Sequence, residues 1–192
     1  FPTIGHRVRM LREAVTIIKS LWTEHRTTFE GRYYQMTDAL CEPKPVQQPR
    51  IPLWIGGGGE KLTLRVVAEL ADGWNTFFGP LDVYQQKLDA LAGHCRDVGR
   101  NPADIRRSLH IPMLVGETEA EVRERTGEWH GQRRIMGTPE QCIEQLMPYL
   151  KLGVHDFIMS AQMPADMRSL ELVATKIAPE MKAVGKSVSA AG

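Results

Sequence analysis

Cysteine, net charge and long apolar runs are all scarce in this sequence. Its three cysteines, Cys41, Cys95 and Cys142, lie far apart and form no CxxC pair. That argues against a disulfide framework or a cysteine zinc site and fits a reducing, cytoplasmic setting. Lysine and arginine total 24 against 23 aspartates and glutamates, a formal charge of +1. So even a balance offers no footing for nucleic acid or a membrane surface as partner. No apolar run approaches the roughly 20 residues of a membrane helix, and no signal-peptide pattern opens the sequence. There is no Gly-Lys-Ser/Thr, which excludes a P-loop. The six histidines, His6, His25, His94, His110, His130 and His155, show no metal-ligand spacing, so no metal is expected. No Ser-His-Asp or Cys-His constellation assembles from spacing, and no catalytic residue is assigned. The first residue is Phe1 rather than Met, and a piece of a longer protein is one expectation.

What is present belongs to a folded domain. Of 192 residues, 42% are hydrophobic and 24% charged, close to globular averages. Val8, Leu11, Val15, Ile18 and Trp22 recur at helical spacing. Residues 27–34 read as a hairpin turning at Glu30-Gly31, and the prolines between Cys41 and Pro52 make an extended connector. A strand and helix rhythm follows. Strands are predicted at Ile51–Ile55, Trp74–Phe78, Ser108–Val115 and Val154–Met159. Helices are predicted over Glu60–Ala71, from Asp82 to Val98, after Thr118, after Thr138 and through Leu170, Val173, Ile177 and Met181, with Pro179 bending or ending the last. Apolar strands alternating with amphipathic helices predict four parallel βα units. Either an open doubly wound sheet or part of a (β/α)8 barrel fits, and a whole barrel takes about 250 residues.

Ile51–Asn75 is the most informative stretch. A short apolar strand ends in Gly56-Gly57-Gly58-Gly59 and a helix starts at once. Glycine backbone can approach an anion closely, and a helix N-terminus adds partial positive charge. Thr63 adds a hydroxyl one turn in. The stretch is either a phosphate cradle or a plain connecting turn. GxGxxG is not cleanly met and no acid ends the second strand, which disfavours a nicotinamide site. Trp54, Trp74 and His110 fit core packing better than ligand contact, Asp72 reads as a turn residue, and Glu117–Glu128 reads as a solvated helix face.

One ordered set of segments carries a resemblance. Arg9–Trp22 (RMLREAVTIIKSLW), Phe29–Tyr34 (FEGRYY), Pro43-Lys44-Pro45, Ile51–Gly59 (IPLWIGGGG), Ala71–Asn75 (ADGWN), Gly137–Glu140 (GTPE) and Gly153–Ile158 (GVHDFI) resemble the bacterial luciferase-like monooxygenase family. The similarity is greatest to its deazaflavin branch, which uses coenzyme F420. It implies a (β/α)8 barrel in which residues 1–192 are the C-terminal part of a single domain, about half of it. It implies an oxidoreductase moving hydride between F420 and a small organic substrate, with FMN-dependent monooxygenation or a non-enzymatic half-barrel as alternatives. Carried over by position, Gly57, Gly58, Gly59 and Thr63 would hold the cofactor phosphate, and Asn75 and Phe77 would lie near the substrate. Relatives acting on a sugar phosphate carry Thr and Lys where this chain has Phe77-Phe78-Gly79-Pro80, so a phosphorylated sugar is not expected. A homo-oligomer is expected.

Overall fold

A computed structural model describes residues 1–126, 134–160 and 166–190, apart from the side chains of 186–190. Its contacts divide the chain into two compact units, Phe1–Trp74 with Lys87–Ile105, and Asn75–Gln86 with Arg106–Gly192.

The first unit opens with helix α1, Ile4–Thr23, capped by the Thr3 hydroxyl accepting from the His6 amide at 3.3 Å. Strands β1 (Thr27–Glu30) and β2 (Gln35–Ala39) pair antiparallel, with Phe29 opposite Met36. The predicted turn at Glu30-Gly31 is longer than expected. The Glu13 carboxylate accepts the Arg32, Tyr33 and Tyr34 amides at 3.0, 2.8 and 3.0 Å, so α1 captures donors that a tight hairpin would have put into the ladder. Strand β3 is only Trp54–Gly56, shorter than expected. Pro52 has no N–H, and the Leu53 amide donates to Asp72 Oδ2 at 2.6 Å, leaving neither for a ladder. Helix α2 (Thr63–Leu70) buries Leu64, Val66, Val67 and Ala68. Strand β4 (Gly73–Phe77) begins here beside β3, and helix α3 (Leu81–Asp97) ends here. Trp74, Leu91, Cys95 and Ile105 join the core, while Val98, the predicted last residue of this helix, lies past its end and is exposed. Asn101 caps a single 3-10 turn, Pro102–Asp104, as the Asn-Pro pair predicts.

In the second unit the end of β4 neighbours the long strand β5, Arg106–Val115. Helix α4 is Glu119–Thr126. A three-residue strand absent from the predicted set, β6 (Ile135–Gly137), pairs parallel with Met113–Val115 of β5. Helix α5 (Pro139–Lys151) starts after Thr138 as expected, and its start is a capping box between Thr138 and Gln141. Strand β7 (Asp156–Ser160) pairs parallel with Ser108–Pro112. The last predicted helix is α6 (Met167–Leu172), a π-turn over Val173–Ile177, and α7 (Ala178–Ala190). Pro179 does not end it. The Ala178 amide bonds back to Val173 O, and this widened turn lets the chain continue past the proline. Among the described residues no helix is long and apolar enough to cross a membrane.

Candidate functional site

The glycine run lies in the first unit, between the end of β3 at Gly56 and the start of α2 at Thr63. Gly57 has φ +126°, a conformation that side chains other than hydrogen rarely tolerate. A Cβ at Gly57 would meet Thr63 Cγ2 at 3.3 Å, and one at Gly59 would meet Thr63 Oγ1 at 3.0 Å. The turn therefore folds close over Thr63, and a side chain at Gly57 or Gly59 would crowd it. Leu62, the N-cap of α2, supplies no side-chain cap bond.

The carbonyls of this turn are occupied. Trp74 Nε1 donates to Gly57 O at 2.7 Å. Lys87 Nζ donates to Gly58 O at 2.8 Å and pairs with Glu60 Oε1 at 3.4 Å. His94 Nε2–H donates to Glu60 O at 2.8 Å. The amides are not occupied: among the described residues no hydrogen bond uses the N–H of Gly57, Gly58 or Gly59. Gly57 and Gly58 are half-buried and Gly59 is exposed, so these N–H groups are open to solvent or to an acceptor from outside the chain. An anion with several oxygens suits such donors beside a helix start. None of the three carbonyl donors is legible as such in the sequence. Trp74 reads there as core, and Lys87 and His94 as ordinary polar positions of a helix.

The substrate candidates lie in the second unit. Asn75 Nδ2 donates to Ser108 Oγ at 2.8 Å. Phe77 is exposed (69%) and meets the His110 ring edge-on, with centroids 5.3 Å apart. The Phe78 amide donates to His110 O at 2.9 Å, so β4 and β5 stay in register. Ser108 and His110, two apart on β5, thus share a face with Asn75 and Phe77. His110 lies opposite Ile158 of β7, itself 48% exposed. Among the described residues His110 Nδ1 is buried without a hydrogen-bond partner, a feature that its position in a strand does not reveal. Tyr149 Oη donates to Gly79 O at 2.6 Å and its ring packs against Phe78, fixing the loop after β4. Residues 75–80 contain no cation.

Other candidates resolve into structure. Asp72 binds the Arg50 guanidinium and accepts from the Leu53 amide. Burial pushes its carboxyl up, but these donors outweigh that and hold it below the usual range. Burial also raises both core thiols, Cys95 and, to about 12, Cys142, which makes poor nucleophiles of them. The charge run is more than a solvated face: Arg125 of α4 donates to Val115 O at 2.7 Å, and Glu117 pairs with Arg168 and Lys176. Among the described residues no group of three or more His, Cys, Asp or Glu could hold a metal ion.

The chain is thus built of parallel βα units, with a glycine turn between one strand and the next helix. Residues 3–135 match the family of luciferase-like monooxygenases, and the chain belongs to it. It is 34% identical over 178 residues to an F420-dependent glucose-6-phosphate dehydrogenase of Kineococcus radiotolerans, covering 92% of this chain and 48% of that protein. The chain thus spans about half the length of that relative. In fold it is similar to an F420-dependent secondary alcohol dehydrogenase, with TM-score 0.77, 17% identity, and coverage of 92% of this chain and 63% of that one. It is equally similar to an EDTA monooxygenase from Chelativorans sp. BNC1, with TM-score 0.79, 16% identity, and coverage of 96% and 61%. The fold is that of part of a luciferase-like TIM barrel, as the resemblance implies.

Proposed function

We propose that this chain is the C-terminal part, residues 1–192, of a single-domain F420-dependent oxidoreductase that moves hydride to or from a small organic substrate. The observation that carries the reading is the turn at Gly57–Gly59, whose amides make no hydrogen bond among the described residues while its carbonyls are held. Gly57, Gly58, Gly59 and Thr63 would bind a phosphate of the cofactor, and a Cβ at Gly57 or Gly59 would press on Thr63 and close the cradle. Family membership and the F420-dependent relative support the cofactor. When bound, coenzyme F420 supplies the hydride chemistry, and the protein supplies position and shielding. In the second unit Asn75 and Phe77 would contact the substrate, Asn75 with its amide oriented by Ser108.

The relative is named for glucose 6-phosphate. Here Phe77-Phe78-Gly79-Pro80 offers an exposed aromatic ring and no cation. A phosphorylated sugar would find no charge partner there, so an uncharged organic substrate fits better. Three free cysteines support a reducing cytoplasmic setting. A homo-oligomer is proposed for the 192-residue chain taken by itself, in which β3 and β7 each have a single described strand neighbour.

The test is titration of the protein with F420 and with FMN, followed by fluorescence, then turnover with uncharged alcohols or carbonyls against glucose 6-phosphate. Saturable F420 binding with turnover of the uncharged class supports the reading. Binding of FMN alone, or of neither, overturns it.

A further inference from the structure

We infer that Lys87 and Trp74 are positioning residues that set the direction and strength of the anion-binding amides in the glycine turn. The inference rests on the proposed phosphate cradle and concerns how it is built.

A trans peptide is planar, with C=O and N–H pointing in opposite directions. The Gly57 carbonyl and the Gly58 amide belong to one peptide unit, and the Gly58 carbonyl and the Gly59 amide to the next. Trp74 Nε1 holds the first carbonyl at 2.7 Å, and Lys87 Nζ holds the second at 2.8 Å. Each donor therefore aims one N–H away from itself. Each also polarises its peptide unit, because a carbonyl that accepts a hydrogen bond makes the N–H across the same amide a stronger donor. The ammonium has the larger effect, as its bond is charge-assisted. Two consecutive amides are thus presented by side chains that need not touch the ligand.

Both donors are fixed. Trp74 is fully buried in β4, and its indole has one N–H to give. Lys87 is largely buried on α3, with a side chain only 20% exposed, and Glu60 steadies its ammonium at 3.4 Å. The turn needs such anchors: Gly57 at φ +126° has no side chain to restrict it, and glycine is the most freely varying residue.

The experiment compares wild type with Lys87→Met, Lys87→Arg, Trp74→Phe and Gly58→Asp. It reads the F420 dissociation constant by fluorescence and the Gly58 and Gly59 amide proton shifts by NMR without ligand. Lys87→Met should shift the Gly59 amide upfield and Trp74→Phe the Gly58 amide, each mainly its own. Lys87→Met and Trp74→Phe should each weaken F420 binding by about two- to fivefold, the size of a cooperative loss on one hydrogen bond. Lys87→Arg should restore most of the affinity. Unchanged affinity in Lys87→Met overturns the inference whatever the shifts, as does equal movement of every amide in the turn, which would mean a structural role only. If Trp74→Phe does not fold, Lys87→Met and its arginine rescue decide alone. Loss of binding in Gly58→Asp together with wild-type affinity in Lys87→Met leaves the cradle standing and removes this inference. Wild-type affinity in Gly58→Asp removes the cradle and the inference together.

Discussion

Replacing Gly58 by aspartate puts a carboxylate where the proposed phosphate would sit. The substitution should spare the fold. The positive φ of the turn falls at Gly57, not Gly58, so no left-handed strain is added. An acidic group near a helix start is worth about 0.3–1 kcal/mol, and α2 has no side-chain cap for it to displace. The Lys87 ammonium, 2.8 Å from Gly58 O, adds attraction. The ligand-free melting midpoint should therefore hold or rise by about 1–3 °C. Ligand binding should suffer. At about 5 Å and an effective dielectric of about 20, two like charges repel by about 3 kcal/mol. Solvent screening at a half-exposed turn reduces that, and the carboxylate competes for the same N–H donors. A loss of about 1.4 kcal/mol, or tenfold in affinity, is the least expected. Fluorescence titration with F420, beside thermal melts of both proteins, measures each half of the statement. Equal affinities with equal melts would reduce residues 56–59 to a connecting turn.

Three other outcomes test the structure more locally. Gly73→Ala sets a Cβ inside van der Waals contact of the Trp54 ring and should cost about 1–3 kcal/mol in urea unfolding, with a change in tryptophan emission. Asp72 has its folded value lowered below the ordinary 3.8, so its contribution is complete above that value and is lost as pH falls through the lower one. Asp72→Asn should flatten that part of the stability profile in acid denaturation. The chain by itself should associate through its strand edges at β3 or β7. A monodisperse monomer in sedimentation that also binds and reduces F420 would contradict this.

Signals a few residues long are legible in the amino-acid sequence itself. Thr138 with Gln141, Asn101 with Pro102, and the glycines between an apolar strand and a helix act within one turn of chain. Each therefore reads the same in the sequence as in the fold. The helical spacing of α1 and the apolar run of β5 are visible for the same reason. Short or interrupted elements are not. Strand β6 has three residues and exists because β5 is there to pair with it. The π-turn before Pro179 depends on the helix continuing on both sides, and the hairpin loop depends on Glu13, far back on α1. The candidate site divides in the same way. Gly57 to Gly59 and Thr63 are neighbours in sequence, so their conjunction needs only a turn. Lys87 reaches Gly58 across 29 residues, and Asn75 reaches Ser108 across 33. Only tertiary packing brings such pairs together, because no local periodicity records which polar position of a helix will face a carbonyl or which strand will lie beside which.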